Sequence, residues 1–219
     1  MKSEASFDHR VLPDGCADII FTRDSGKASL MIVGTMTRFA DFHIPSGQLT
    51  VGVRFRPGMW TQQLGVPGTE ITDAHLPLEE VWGDRARALL GCLADCDSPQ
   101  HCVAALRGAL RPSPTRTPLQ QALAWMERHP DCISLDRIAL QAGLSARQFR
   151  RACLQQTGTS PKLLARVLRF RNALAQVQAQ VGEHAGLAAD CGYFDQSHFI
   201  AEFQRFAGQT PAAYHRAMR

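Results

Sequence analysis

The pattern of apolar and polar positions changes character near the middle of the chain. Before residue 111, the short runs CADIIF, SLMIVG and LTVGVRF, rich in β-branched and aromatic residues, stand between Gly, Pro and Asp, which predicts strands separated by turns. Helical spacing follows in pieces: PGMWTQQLGV predicts one or two turns, LPLEEVW another, and apolar residues recur at helical intervals over 84–110. At 111–118 the segment RPSPTRTP carries three prolines that cannot continue a helix. Beyond it no strand pattern remains.

Thr117 and Pro118 read as N-cap and first residue of a helix reaching about His129, where Pro130 stops it. Ser134 is placed to cap a short helix over 135–141. SARQ, starting at Ser145, has the capping-box form and opens a helix that ends near Thr157 and Gly158. Ser160 and Pro161 begin a long helix to about Gln180, followed by a short helix around 185–191, a turn at GYF, and a helix capped by Asp195. The fold class is therefore α+β. A strand-rich N-terminal domain, 1–111, forms a small barrel or open sheet with a helical exit; a linker, 112–117, leads to an all-α domain of seven helices, 118–219.

The second half repeats itself. Phe149, Cys153, Gly158 and Pro161 have counterparts fifty residues on at Phe199, Phe203, Gly208 and Pro211, and Gly143 corresponds to Gly192. Each copy reads short helix, glycine turn, capped helix, Gly-x-x-Pro, the pattern of a helix-turn-helix whose second helix enters the DNA major groove N-terminus first. The units span 135–158 and 185–208. A connecting helix of roughly 18 residues is ~27 Å long, which lets helices 145–157 and 195–207 address successive major grooves ~34 Å apart.

Charge sharpens this picture. Residues 1–112 carry 11 Lys/Arg against 13 Asp/Glu, whereas 113–219 carry 13 against 7. Between Ser145 and Arg171 stand Arg147, Arg150, Arg151, Lys162, Arg166, Arg169 and Arg171 with no acidic residue, as suits a polyanionic partner. A solvated helix face ordinarily mixes signs. Composition narrows the remaining classes. The chain is 45% hydrophobic, has no apolar run near the ~20 residues of a membrane span, and begins MKSEASFDHR without the apolar core of a secretory signal, so a cytoplasmic protein with no membrane partner is expected. Seven scattered cysteines, Cys16, Cys92, Cys96, Cys102, Cys132, Cys153 and Cys191, fit a reducing compartment, and the group Cys92, Cys96, His101, Cys102 lacks a CxxC pair.

AGLSARQFRRACLQQTGTSPKLLARVLRFRNAL and CGYFDQSHFIAEFQRFAGQTPAAYHR resemble the two helix-turn-helix units of AraC/XylS-type transcription regulators. The second is close to that family's signature, a Gly-aromatic turn, a Ser-x-Phe helix and Gly-x-Thr-Pro followed by Tyr. LPDGCADIIF and GVRFRPGMWTQQLGVP resemble a poorly characterised N-terminal domain found in one branch of such regulators, here without a counterpart of the segment that usually precedes LPDGC, so that a domain shortened at its start is expected. The resemblance implies a double-stranded DNA partner, engagement of the transcription machinery as activator or repressor, and an N-terminal domain that senses a small-molecule effector or supports a homodimer. It implies no cofactor.

Three arginines, Arg147, Arg150 and Arg151, fall near the start of helix 145–157 away from its Phe149/Cys153 face. Arginine can donate two hydrogen bonds to guanine, so these favour a G-containing half-site, and the resemblance maps base-contacting positions onto the same three. Phosphate contact alone is an equally open reading for any one of them. Gln148 is a further candidate. In the second unit Gln196, Ser197 and His198 occupy the first turn, and Ile200 and Ala201 stand where the first copy has Arg150 and Arg151, so weaker readout is expected there. Lys162, Arg166, Arg169 and the helix N-termini at Ser160 and Thr210 suit phosphates.

In the first domain Arg54, Arg56 and Trp60 are candidate effector contacts, although strand alternation favours an ordinary solvent-facing position for the two arginines. A rival class is an enzyme or metal-binding barrel with an appended DNA-binding module, using His9, Asp18, His43 and His75, which lack local ligand spacing. No P-loop, nucleotide fingerprint or nucleophile elbow occurs in the sequence, and an enzyme is not expected. An effector-free architectural DNA-binding protein is the third class.

Overall fold

The computed structural model describes residues 5–112, 116–131, 134–179 and 186–218. The N-terminal part holds strands β1 (Phe7–Val11), β2 (Ala17–Asp24), β3 (Lys27–Val33), β4 (Ala40–Ile44) and β5 (Leu49–Phe55). Short helices α1 (Thr61–Leu64) and α2 (Gly68–Ile71), strand β6 (His75–Pro77) and helices α3 (Glu79–Trp82), α4 (Asp84–Ala94) and α5 (Pro99–Ala109) follow. β2, β3 and β5 are the strands legible in the sequence. β1, β4 and β6 were not, because FDHRV is exposed at its first four positions, ADFHI is five residues long with none fully buried, and HLP is three residues long.

The sheets are open and antiparallel. One has the order β5-β2-β3-β6, and β1 pairs with β4 in a separate ribbon. Alternation on β2 buries Ala17, Ile19 and Phe21 against α4 and α5, where Trp60, Leu78, Leu93, Cys102 and Leu106 complete the core. Trp60 is therefore a core residue, fully enclosed, and not the wall of a pocket open to an effector.

The C-terminal half is helical throughout its described residues: α6 (Pro118–Arg128), α7 (Leu135–Gln141), α8 (Ala146–Thr157), α9 (Pro161–Ala179), α10 (Leu187–Asp190), α11 (Gln196–Ala207) and α12 (Pro211–Ala217). The expected end of the long helix at Gln180, the start of the next at Ala185, and Cys132 lie outside the described residues. Caps form where hydroxyl and carboxylate side chains precede the helices. Thr117 and Ser145 make full capping boxes with Gln120 and Gln148, and the Asp195 carboxylate accepts from the His198 N–H at 2.7 Å. Ser134 departs from expectation: its side chain makes no capping hydrogen bond, and α7 starts on its backbone carbonyl alone.

Two hydrophobic clusters divide this half, one per repeat. Leu119, Leu123, Met126, Ile138, Phe149, Cys153 and Leu164 pack the first unit. Phe170, Leu174, Phe199, Phe203 and Phe206 pack the second, with ring centroids of Phe170–Phe203 5.3 Å and Phe170–Phe206 5.2 Å apart. The repeat seen in the sequence is thus a repeat of cores. Both α8 and α11 end on a left-handed glycine, Gly158 at φ 70° and Gly208 at φ 76°, a backbone conformation that a side chain at either position would strain.

Phe203 touches Phe170, Phe199 and Tyr214 and is fully buried, whereas Phe194, nine residues earlier, is 92% exposed. Phe203→Ala is expected to lower unfolding free energy by about 3–5 kcal/mol through cavity formation. Phe194→Ala should change it by less than about 0.5 kcal/mol. Urea unfolding of the two variants beside wild type measures both.

Candidate nucleic-acid interface

Helix α8 presents two unlike faces. Phe149, Cys153 and Thr157 point into the first core, and burial pushes the Cys153 thiol up to about 11. Arg147, Arg150 and Arg151 lie on the opposite side, all exposed, and none makes an ion pair or hydrogen bond to a described residue. Some arginines elsewhere are paired: Arg10 is bidentate to Asp41, Arg54 to Asp18, and Arg87 meets Glu79 and Asp84. The α8 arginines have been left without acidic partners on one surface. Gln148 between them is engaged differently, its Oε1 accepting from the backbone N–H and the hydroxyl of Ser145, so its first role is to close the helix N-terminus.

The corresponding helix of the second unit, α11, leaves Gln196, Ser197, His198 and Ala201 exposed. Ile200 is half-buried and packs against the second core, which narrows what it can offer a base. Phe194 stands almost wholly in solvent immediately before the Asp195 cap. In the sequence it read as part of the GYF turn, and only the folded turn separates it from Tyr193, which is buried.

Between α9 and α11 runs a groove of ≈ 670 Å³ lined by Lys162, Arg166, Arg169, His198, Glu202 and Arg205. Five of these six carry or can accept positive charge. The exception, Glu202, is buried, and its Oε2 accepts from Arg166 Nε at 2.6 Å with His198 Nε2 at 3.9 Å. Arg166 also lies over Phe206, and Arg169 over Tyr193, each 5.5 Å from the ring centroid. Burial, then the charge of Glu202, raises the Tyr193 phenol above its usual range, with Arg169 opposing. Arg166 is thus committed to a protein carboxylate, while Lys162 and Arg205 remain exposed. Arg205 and Glu202 escaped the sequence reading because helical spacing does not reveal which residues face a neighbouring helix.

A second groove, ≈ 440 Å³, joins α8 to the start of α9 and brings Arg150, Ser160 and Lys162 to one surface. Ser160 Oγ accepts from the Leu163 N–H and Thr210 Oγ1 from the Ala213 N–H, so both hydroxyls cap their own helices.

The N-terminal candidates separate. Arg54 is paired with Asp18 and Asp14, whose contacts raise its pKa further, and Arg56 is exposed. Of the four residues considered for a metal, Asp18 is held by Arg54, His43 Nδ1 lies 2.9 Å from Asp8, and His75 stacks on Phe42. His9 contacts Phe7 at the far ribbon edge.

A family model described as "Helix-turn-helix domain" matches residues 138–217, and one described as "Domain of unknown function (DUF6597)" matches residues 1–77. The HTH-type transcriptional activator RhaS of Escherichia coli O139:H28 (strain E24377A / ETEC) is 33% identical over 94 residues, covering 42% of this chain and 34% of that protein. RhaS of strain K12 / DH10B gives the same figures. The match thus spans about a third of the length of these relatives. Among solved structures, the DNA-binding domain of AdpA in complex with a target DNA is 27% identical, covering 48% of this chain and 95% of that one, with a TM-score of 0.45. The repeat of capped helices, the family-model match and the RhaS relatives agree: over residues 138–217 the chain carries a helix-turn-helix domain similar to those of AraC/XylS-type regulators, behind an N-terminal accessory domain.

Proposed function

We propose that the chain is a sequence-specific, double-stranded DNA-binding transcription regulator that inserts the first turns of α8 and α11 into successive major grooves. The observation that carries this reading is the trio Arg147, Arg150 and Arg151, exposed and unpaired among the described residues at the start of a capped helix. Unneutralised guanidiniums at a helix N-terminus face the unfavourable end of the helix dipole, and a polyanion relieves both costs. α9, 19 residues and so about 28 Å long, separates the two units by nearly one turn of B-DNA.

Within this reading α8 dominates specificity. Its arginines can pair with guanine, whereas α11 offers Gln196, Ser197 and His198 with apolar contact from Ala201 and Phe194, suited to thymine methyl groups. Lys162, Arg169 and Arg205 contact phosphates. Arg166 positions α11 through Glu202, which replaces the direct phosphate role expected of it from sequence. The N-terminal domain is the regulatory part, and the cleft of ≈ 490 Å³ where Asp14, Cys16 and Arg54 face Glu127 and Arg171 is the place where a small-molecule effector would meet both halves of the chain. Thermal-shift screening of metabolites tests that control.

Selection of duplexes from a random pool by the purified protein, followed by binding at fixed salt, tests the DNA reading. Arg150→Ala is expected to cost about 1–3 kcal/mol on the selected site and to relax preference at one position, with Gln196→Ala costing less. The reverse order would remove α8 as the dominant reader. Lys162→Ala should weaken all sequences alike and reduce the salt slope by about one. Arg166→Ala should instead lower the unfolding midpoint, since it leaves the buried Glu202 carboxylate with only the more distant His198 beside it, at a cost of about 1–3 kcal/mol.

A further inference from the structure

The turns that end the two recognition helices occupy equivalent places in the repeat, and the N-terminal domain covers both. At the first, the Thr72 hydroxyl lies 2.9 Å from the carbonyl oxygens of Gly158 and Gly68 and shares its proton between them. Gly68 admits this approach because it has no side chain: a Cβ there would fall 2.3 Å from Gly158 N. At the second turn, Arg10 Nη1 donates to Ala207 O at 3.3 Å while its Nε and Nη2 hold Asp41 and its guanidinium lies 4.5 Å over Phe39. The Phe39 ring sits where Gly208 has no side chain, its Cζ 2.7 Å from where a Cβ would stand. Different residues of one domain thus reach the same structural feature in both copies.

The positions of these contacts matter. Recognition helices enter DNA by their N-termini, so the C-terminal turns at Gly158 and Gly208 face away from the duplex and can be held while the arginines remain free. Carbonyls at a helix C-terminus lack intrahelical donors and carry the negative end of the dipole, and the N-terminal domain supplies a hydroxyl at one and a guanidinium at the other. Gln120 adds a buried bond, Nε2 to Gly58 O at 3.0 Å, and Leu12 of the loop after β1 is buried within the second helical core. α9 joins the units along one line, and a domain touching both beyond that line resists their rotation about it.

We propose that the N-terminal domain is a splint: Thr72 with Gly68 at the first turn, and Arg10 with Phe39 at the second, are positioning residues that hold the recognition helices at one separation and restrict the chain to operators of one half-site spacing. This rests on the DNA-binding reading above. The test uses the full chain and a duplex selected by the wild type from a random pool, with single base pairs inserted or removed between half-sites. Each such change rotates one half-site by about 36° relative to the other. Wild type should lose about tenfold in affinity or more for one inserted pair, a loss comparable to a mismatched base pair. Thr72→Val and Arg10→Ala should cut that penalty to about threefold or less, and Thr72→Ser, which keeps the hydroxyl, should retain it. A folded variant that loses the same factor at every spacing, or none, overturns the splint, because a purely stabilising contact cannot change the spacing profile. The two variants lie at separate dockings, so one that fails to fold leaves the other to decide. If wild type selects no duplex, the DNA-binding reading itself falls, a result distinct from an unchanged spacing profile.

Discussion

The C-terminal half depends on one helix being buried on two sides. α9 gives Leu164, Ala165 and Leu168 to the first unit's core and Val167, Phe170, Ala173, Leu174 and Val177 to the second. The leucine, valine and phenylalanine side chains among these contribute about 1.5–3 kcal/mol each when removed from water, so neither unit can shed the helix without losing much of its stability. An amphipathic helix with a single apolar stripe could serve only one partner. By serving both, α9 turns two small helical hairpins, each too small to be secure alone, into one body with a defined distance between its recognition helices.

This arrangement dictates how charge is distributed. The sides of α9 between its two apolar faces must be polar, and they carry Lys162, Arg166 and Arg169 along the groove that opens toward α11. A row of like charges there would push α11 away. Glu202, buried on α11, offsets part of that repulsion by taking Arg166, and the aromatic faces of Phe206 and Tyr193 receive Arg166 and Arg169. In this groove Lys162 and Arg205 face solvent, and Arg166 is absorbed by the protein. The same side-chain type therefore stands exposed on α8 and builds structure on α9.

The N-terminal domain extends this logic to the opposite side of the helical half. Its sheet core is closed by Trp60, Leu78 and α4 and α5, and it meets the helical half through α2 against α8, Arg10 of β1 and the loop residue Leu12. Its docking uses glycine on the helical side, at Gly158 and Gly208, and on its own side, at Gly15, Gly58 and Gly68, because so close an approach is possible only where no Cβ intervenes. Such contacts are short in reach and specific in geometry. They suit the transmission of position better than the supply of bulk stability.

The sequence alone determined what periodicity, punctuation and repetition encode: three of the six strands, the seven helices of the second half, the capping residues Thr117, Ser145 and Asp195, and the two cores built on Phe149 and Phe199. These are local signals, set by side chains a few residues apart. Strands β1 and β4 stayed hidden because each is five residues long and buries no side chain fully, too short a pattern to stand out in the sequence. Only tertiary structure decided that Gln148 closes a helix end, that Trp60 is core, that Ile200 is half-buried and that Arg166 belongs to Glu202. It also brought Thr72 to Gly158 and Arg10 to Ala207, pairs separated by 86 and 197 residues. A residue's type limits what it can bind, but its partner depends on which elements fold against it, and that information is spread over the whole chain.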